Sequence, residues 1–311
     1  MAVRRTIVAF GETLWDLLPS GPVLGGAPCN FAYRVNSLGD RGVIVTRLGR
    51  DDLGRRAFGR LRELGMETGF VQWDERHPTG TVPVKVGPDG TPDFTILPDV
   101  AYDYIEETES LQALLAEADG VCFGTLVQRA PVSRRTLDRV LDGAGKAVKL
   151  LDVNLRKDCF SRETIEGSLG RADILKLNDQ EARHLAGLFG LPAGSLPGIA
   201  EALLGRGRLS HVLVTLGAKG ALAVSSKGWR IYEPGYEVKV VDTCGSGDAF
   251  TAGFFHRLLG GSSLEEACRL GNVLGAMVAS QAGATVPVSR GEIEAFERSG
   301  RRRVVDSSLG L

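Results

Sequence analysis

The amino-acid sequence predicts an α/β fold, with a central and mostly parallel sheet between layers of helices. Three observations predict it. Short β-branched runs alternate with amphipathic stretches along the chain. The runs are apolar throughout, as suits strands covered on both faces. Two strand-like segments then break the alternation, and these form either a small separate sheet acting as a lid or an extension of the main sheet's edge.

In chain order, the first run is "TIVAF" from Thr6, followed by the first interruption, from Gly11 to Ala27. "GVIVTRL" from Gly42 is the second run and leads into a helical pattern. The second interruption, Thr79 to Leu97, holds two strand-like runs around "GPDGTP", and Pro-Asp-Gly is turn chemistry, so a hairpin is expected. "GVCFG" from Gly120, "VKLLDVN" from Val148 and "DILKLN" from Asp173 are each followed by a helical pattern, directly or after a loop; "HVLVTLG" from His211 is not. "GLPAGSLPGI" (Gly190 to Ile199) is expected as a surface loop. From Asp248, Phe250, Phe254 and Leu258 recur every four residues until Gly260-Gly261, which predicts a helix. Ser262 and Glu265 in "SSLEE" have capping-box spacing for the next. In sheets of this kind ligands sit beyond the carboxyl ends of the strands, so chemistry is expected just after each run.

Bulk properties narrow the function classes. The 311 residues suffice for one large core, and 37 Lys and Arg against 38 Asp and Glu carry no electrostatic footprint for nucleic acid. The only basic run, Arg301 to Arg303, is expected as a solvated tail. Five cysteines (Cys29, Cys122, Cys159, Cys244 and Cys268) show no CxxC pair and no zinc spacing, which argues against disulfides and structural zinc. No apolar stretch approaches a membrane span and no signal-peptide core precedes "GET", so a cytoplasmic protein without membrane partners is expected.

The chemistry is concentrated in "DTCGSGD", Asp242 to Asp248. Gly245 and Gly247 admit positive φ and let backbone N–H groups approach a ligand, and the helix beyond them brings free N–H groups and the positive end of its dipole. The stretch lacks the GK[ST] ending of a P-loop. It also misses Rossmann spacing, with Phe250 where a third glycine or alanine belongs. Taken alone, Asp248 is better explained as a helix cap. Four further motifs change that weighing: "LGGAPCNFAYRVNSLG" (Leu24 to Gly39) with Gly25, Gly26 and Asn30, "DVNLR" (Asp152 to Arg156), "LNDQE" (Leu177 to Glu181) and "VTLGAKGA" (Val214 to Ala221).

Together, in this order and over nearly the whole chain, these motifs resemble the ribokinase-like, or PfkB-type, carbohydrate kinases. The resemblance implies a single ribokinase-like domain over 1–311 with a small lid built from about 11–27 and 79–97. It implies ATP and Mg²⁺ as cofactors, with Asp248 as the general base that takes the proton of a sugar hydroxyl. The backbone from Cys244 through Gly245, Ser246 and Gly247 would be the anion hole, in keeping with a reaction that depends on positioning and electrostatics. The helix dipole would help keep Asp248 ionised. Asp16, Gly25, Gly26, Asn30, Phe94 and Arg156 are the matching sugar-site residues, since carboxylate, amide and guanidinium groups can pair several hydroxyls in a fixed geometry. Asn178, Thr215, Gly217, Lys219, Gly220 and Asn272 match the ATP site. Asn178 and Glu181 would act on Mg²⁺ through water, and Asp242 matches a monovalent-cation site, although the 280–289 segment is shorter than the potassium-using pattern. A homodimer through the lid is a further expectation.

Among these kinases "GETLWDLLP", "LGGAPCNFA" and "PTGTVPVKVGPDG" resemble fructokinases most, and 2-keto-3-deoxygluconate kinases next. Fructose phosphorylated at O6 is the first expectation; ribose, aminoimidazole riboside or a nucleoside stay open. A non-catalytic sugar or nucleotide sensor on the same scaffold is the rival from another class, and an intact Asp248 with both glycines argues against it.

Overall fold

In the computed structural model, which describes residues 4–86, 92–192 and 194–309 with the side chains of 84–94 outside the description, the elements run as follows. β1 (Thr6–Phe10), β2 (Leu14–Leu18), β3 (Gly21–Gly25), α1 (Ala27–Ser37), β4 (Arg41–Gly49), α2 (Asp52–Glu63), β5 (Val71–Asp74), β6 (Gly80–Val86), β7 (Pro92–Phe94), α3 (Glu109–Glu117), β8 (Gly120–Phe123), α4 (Pro131–Gly143) and β9 (Val148–Asp152) form the first half. The second half holds α5 (Arg162–Leu169), β10 (Ile174–Asn178), α6 (Asp179–Phe189), α7 (Leu196–Leu204), β11 (His211–Thr215), β12 (Ala221–Ser225), β13 (Arg230–Glu233), β14 (Gly235–Tyr236), α8 (Ser246–Leu259), α9 (Leu264–Ala279), α10 (Arg290–Arg298) and β15 (Arg303–Val304).

Nine strands make one sheet in the order β13-β12-β11-β10-β9-β8-β1-β4-β5. Only the last two pairings at one edge, β11 with β12 and β12 with β13, are antiparallel. The apolar runs are buried as expected of strands covered on both faces: Ile7, Val8, Ala9 and Phe10 of β1 are fully enclosed, as are Leu150, Leu151, Leu175 and Leu213 further along. Two apolar layers result. One packs β1, β8, β9 and β10 against α3, α4, α5 and α6; the other packs the opposite face against α1, α2, α8 and α9. The strand order reverses at β1, whose neighbours are β4 on one side and β8 on the other, and such a switch point opens a crevice at the strands' carboxyl ends.

The two interruptions come together in a separate four-stranded sheet, order β3-β2-β6-β7, so the edge-extension alternative does not hold. β2 pairs with β3 antiparallel and with β6 parallel, placing Asp16 opposite Val23 and Val82. The expected "GPDGTP" turn falls largely outside the described residues; β7 pairs back with β6, Phe94 opposite Val84.

Three local expectations need correction. The α9 cap is one residue later, Ser263 with Glu266, because the turn at Gly260-Gly261 runs one residue further than the spacing suggested. The 190–199 segment is a loop only in part: Ser195 accepts from the N–H of Gly198 and opens α7, with Pro197 in its first turn, where a missing N–H costs nothing. Arg303 is no solvated tail. It pairs with Glu233 at 2.5 Å, its guanidinium lies 4.1 Å from the Tyr236 ring centroid, and β15 pairs with β14.

Candidate active site

A cleft of about 980 Å³ opens between the carboxyl edge of the main sheet and the small sheet. Leu14, Asp16 and Val82 line it from the small sheet, and Asn30, Arg156 and Asp248 from the main body. It continues past Asn178 and Glu181 to Thr215, Gly217, Gly220 and Asn272, so one continuous cavity joins the two ends that the motifs assign to sugar and nucleotide.

The turn from 242 to 248 is built to expose backbone N–H groups. Asp242 accepts from Cys244 N through one oxygen and from Gly283 N through the other, each at 2.9 Å, and so ties the turn to the segment that backs it. Gly245 caps α8 at φ 74°, and a Cβ there would stand 2.4 Å from Cβ of Ala284, so both conformation and space demand glycine. α8 begins at Ser246, which places Asp248 third in the helix and not at its cap. The expected four-residue anion hole narrows. Cys244 donates its N–H to Asp242 and Ser246 donates to the Thr243 carbonyl, leaving the N–H groups of Gly245 and Gly247 without a partner among the described residues.

Asp248 keeps part of its surface open to the cleft, with protein packed around the rest of its carboxylate. Asn30 Nδ2, from the first turn of α1, donates to Asp248 Oδ2 at 2.9 Å, while Asn30 Oδ1 is buried and accepts nothing. Burial first, then the charge of Asp152, raise the Asp248 pKa to about 6, against the lowering effects of the Asn30 bond, Lys176 and Arg156. The net shift is upward, yet with a value of about 6 the carboxylate remains ionised at neutral pH.

At the end that the motifs assign to the sugar, Gly26 has φ 109°, and a Cβ on it would stand 2.4 Å from the Glu12 carbonyl; the start of α1 could not approach the loop between β1 and β2 with any larger residue. Gly25 is outside the cleft lining, but a Cβ on it would meet Asp16 Oδ2 at 2.6 Å, so it clears space for that carboxylate. Burial raises the pKa of Asp16, and Arg156 lowers it. Arg156 is exposed in the cleft, and the side chain of Phe94 lies outside the described residues.

At the end that the motifs assign to the nucleotide, Asn178 caps α6. Its Oδ1 accepts from Glu181 N at 2.8 Å, Glu181 Oε2 accepts from Asn178 N at 2.7 Å, and Glu181 Oε1 accepts from Leu155 N at 2.9 Å. Each Glu181 oxygen therefore keeps lone pairs while being held in place. Asn272 is buried and donates to the carbonyls of Glu233 and Pro234, so it is not helix surface. Lys219 is outside the cleft lining and pairs with Asp306 at 3.1 Å.

Glu12, Asp152 and Lys176, three buried ionisable groups beside the cleft, were given no role from sequence. Glu12, the second residue after β1, has its pKa raised to about 7 by burial. It shares a small chamber of about 20 Å³ with Asp152, Asn154 and Asp248. Lys176 and Asp152 form a buried pair beneath the turn. The signal for Lys176 was present in "DILKLN", where a lysine interrupts an otherwise apolar strand.

Known proteins carry the same architecture. The chain is 30% identical to fructokinase-1 of Oryza sativa subsp. japonica over 94% of this chain and 96% of the relative. The crystal structure of fructokinase with bound ATP from Xylella fastidiosa superposes with a TM-score of 0.82 at 22% identity, covering 96% of this chain and 99% of the other. A Vibrio cholerae fructokinase double mutant in fructose, ADP and potassium ion bound form does so with a TM-score of 0.80 at 23% identity, over 94% and 98%. The sequence pattern of the pfkB carbohydrate kinases runs through residues 22–290, and with the fold, the glycine turn and the cleft all in place this chain belongs to the pfkB family of carbohydrate kinases.

Proposed function

We propose that this ATP-binding sugar kinase phosphorylates fructose, transferring the γ-phosphoryl group of ATP to O6, with Asp248 as general base. The observation that carries the reading is the convergence of an ionisable, partly desolvated carboxylate and two uncommitted backbone N–H groups at one helix N-terminus, inside one continuous cleft. Resemblance to fructokinases, at 30% identity for the rice enzyme, supports fructose as the acceptor.

As the sugar hydroxyl forms its bond to γ-phosphorus, Asp248 takes the hydroxyl proton, the bridging P–O bond breaks, and ADP leaves with that electron pair. Asn30 fixes the Asp248 carboxylate through Nδ2, and its unpartnered Oδ1 suits a sugar hydroxyl donor. Asp16 and Arg156 take other hydroxyls. Gly245 and Gly247 N–H groups point where negative charge collects on the transferring group, assisted by the α8 dipole. Asn178 and Glu181, bonded to backbone yet lining the cleft, fit an Mg²⁺ site reached through water, and the ion when bound would neutralise phosphate charge. Each Asp242 oxygen likewise accepts one backbone N–H and keeps a lone pair for a monovalent cation beside the turn.

Steady-state kinetics test the assignment. Asp248→Asn is expected to lower kcat by about 10²- to 10⁴-fold with ATP affinity by calorimetry nearly unchanged; normal turnover would remove Asp248 from the mechanism. In the wild type, kcat/KM is expected to fall as pH drops through about 6, because protonation of Asp248 abolishes the base. A panel of sugars assayed for ATP-dependent phosphorylation checks the acceptor, and a clear preference for another sugar over fructose would overturn that part.

A further inference from the structure

Behind Asp248, within the sheet, lies an ion pair to which the transfer step assigns no role. Lys176 is in β10 and Asp152 ends β9, side by side in register on neighbouring parallel strands, and Lys176 Nζ donates to both Asp152 oxygens at 3.0 Å. Both side chains are buried. Thr251, one turn into α8, brings Oγ1 to 3.0 Å from Asp152 Oδ2 and 2.9 Å from the Gly247 carbonyl. A Cβ on Gly247 would stand 3.4 Å from Lys176 Nζ, so the cation sits directly under the phosphate-facing turn. Contacts therefore run unbroken from two central strands to the helix end that carries the base.

Stability does not account for such a pair. Burying two charges costs several kcal/mol per ion, and apolar residues of equal volume commonly serve a core as well or better. Burial opposes the charge on Lys176; Asp152, Glu181 and Asp248 more than restore it, and it stays a cation. The other groups facing Asp248 are Glu12 from the loop after β1, Arg156 from the loop after β9, and the thiols of Cys29, Cys122 and Cys244.

We propose that Lys176 and Asp152 are positioning residues for phosphoryl transfer: Lys176 offsets part of the negative charge that Asp152 sets behind Asp248, so that Asp248 remains the ionised acceptor, and through Thr251 the pair fixes the turn whose N–H groups face the phosphoryl oxygens. This rests on Asp248 being the base. The two charges act on Asp248 in opposite senses, Asp152 raising its proton affinity and Lys176 lowering it, and that opposition separates an electrostatic role from a merely structural one.

The test uses Lys176→Met, Asp152→Asn and the double variant in full-length protein. The Asp248 midpoint is read from ¹³C carboxyl shifts, with Asp248→Asn assigning the resonance, alongside the acid limb of the kcat/KM profile. Lys176→Met is expected to move both upward by about one unit or more and to cut kcat/KM at pH 6.5 roughly threefold or more; Asp152→Asn moves both downward; the double variant returns them toward wild type. Should Lys176→Met fail to fold, Asp152→Asn, which keeps shape and hydrogen-bonding groups, decides by the sign of its shift. A carboxyl midpoint that stays put, or that moves the same way in both single variants, overturns the proposal directly. A midpoint that moves while the kinetic limb does not overturns it through the base assignment, because Asp248 then titrates without governing the reaction.

Discussion

Glu12 shows what a single buried carboxyl group does to the molecule. Its pKa lies near 7, above the ordinary 4.5, because burial disfavours its charge. Between those values the folded protein holds a proton that the unfolded chain has lost, so this group's contribution falls as pH rises through the window, by on the order of 3 kcal/mol in total. Glu12→Gln removes the dependence. Urea melts at pH 5 and pH 8 are expected to show the variant gaining stability relative to wild type at the higher pH, and a relative loss would contradict the assignment. Legibility at this scale follows chemistry in a simple way. Asp248 stands beside Gly247 in the glycine turn, whereas Asn30, between Cys29 and Phe31, and Asp16, inside β2, were legible only through the motifs that carry the family resemblance. Lys176, Asp152 and Glu12 lie in or at the ends of apolar strands, and only the fold reveals that their ends face one another.

At the scale of elements, the α8 turn concentrates the strongest local constraint. Gly245→Ala must place a side chain at φ 74° and against Ala284. The backbone strain alone is of order 1–3 kcal/mol, so thermal melting is expected to show a clear loss of stability, accompanied by weaker ATP binding as the turn shifts. Unchanged melting and binding would mean that the 283–286 segment yields freely. The strands were legible because apolar runs of five have little other use in an α/β chain. Helix starts were less so. Adjacent Ser262 and Ser263 offer two equivalent caps, and the choice depends on how far the preceding turn extends. Likewise the donors of Cys244 and Ser246 look free in sequence, but Asp242 and Thr243 consume them within the turn itself.

At the scale of the whole molecule, two sheets enclose one cleft, and the smaller is suited to cover the sugar during transfer. Closure that excludes water limits wasteful hydrolysis of the nucleotide. Shortening the β6–β7 hairpin is expected to raise sugar-independent ATP hydrolysis relative to sugar phosphorylation, measured by ADP release with and without sugar; an unaltered ratio would deny the small sheet this role. That the two interruptions belong to one sheet was not decided by local pattern, since strand partners are set by contacts across more than 60 residues.

The parallel pairing of β2 with β6 has a consequence for engineering. Parallel neighbours cannot be joined by a tight turn, and here β3, α1, β4, α2 and β5 intervene between them. The cover is thus a composite of two limbs rather than a detachable module. A chimera that borrows Gly80–Phe94 from a homologous enzyme without the matching Leu14–Gly25 inherits a seam of mismatched side chains, so acceptor preference should be transplanted with both limbs together or not at all.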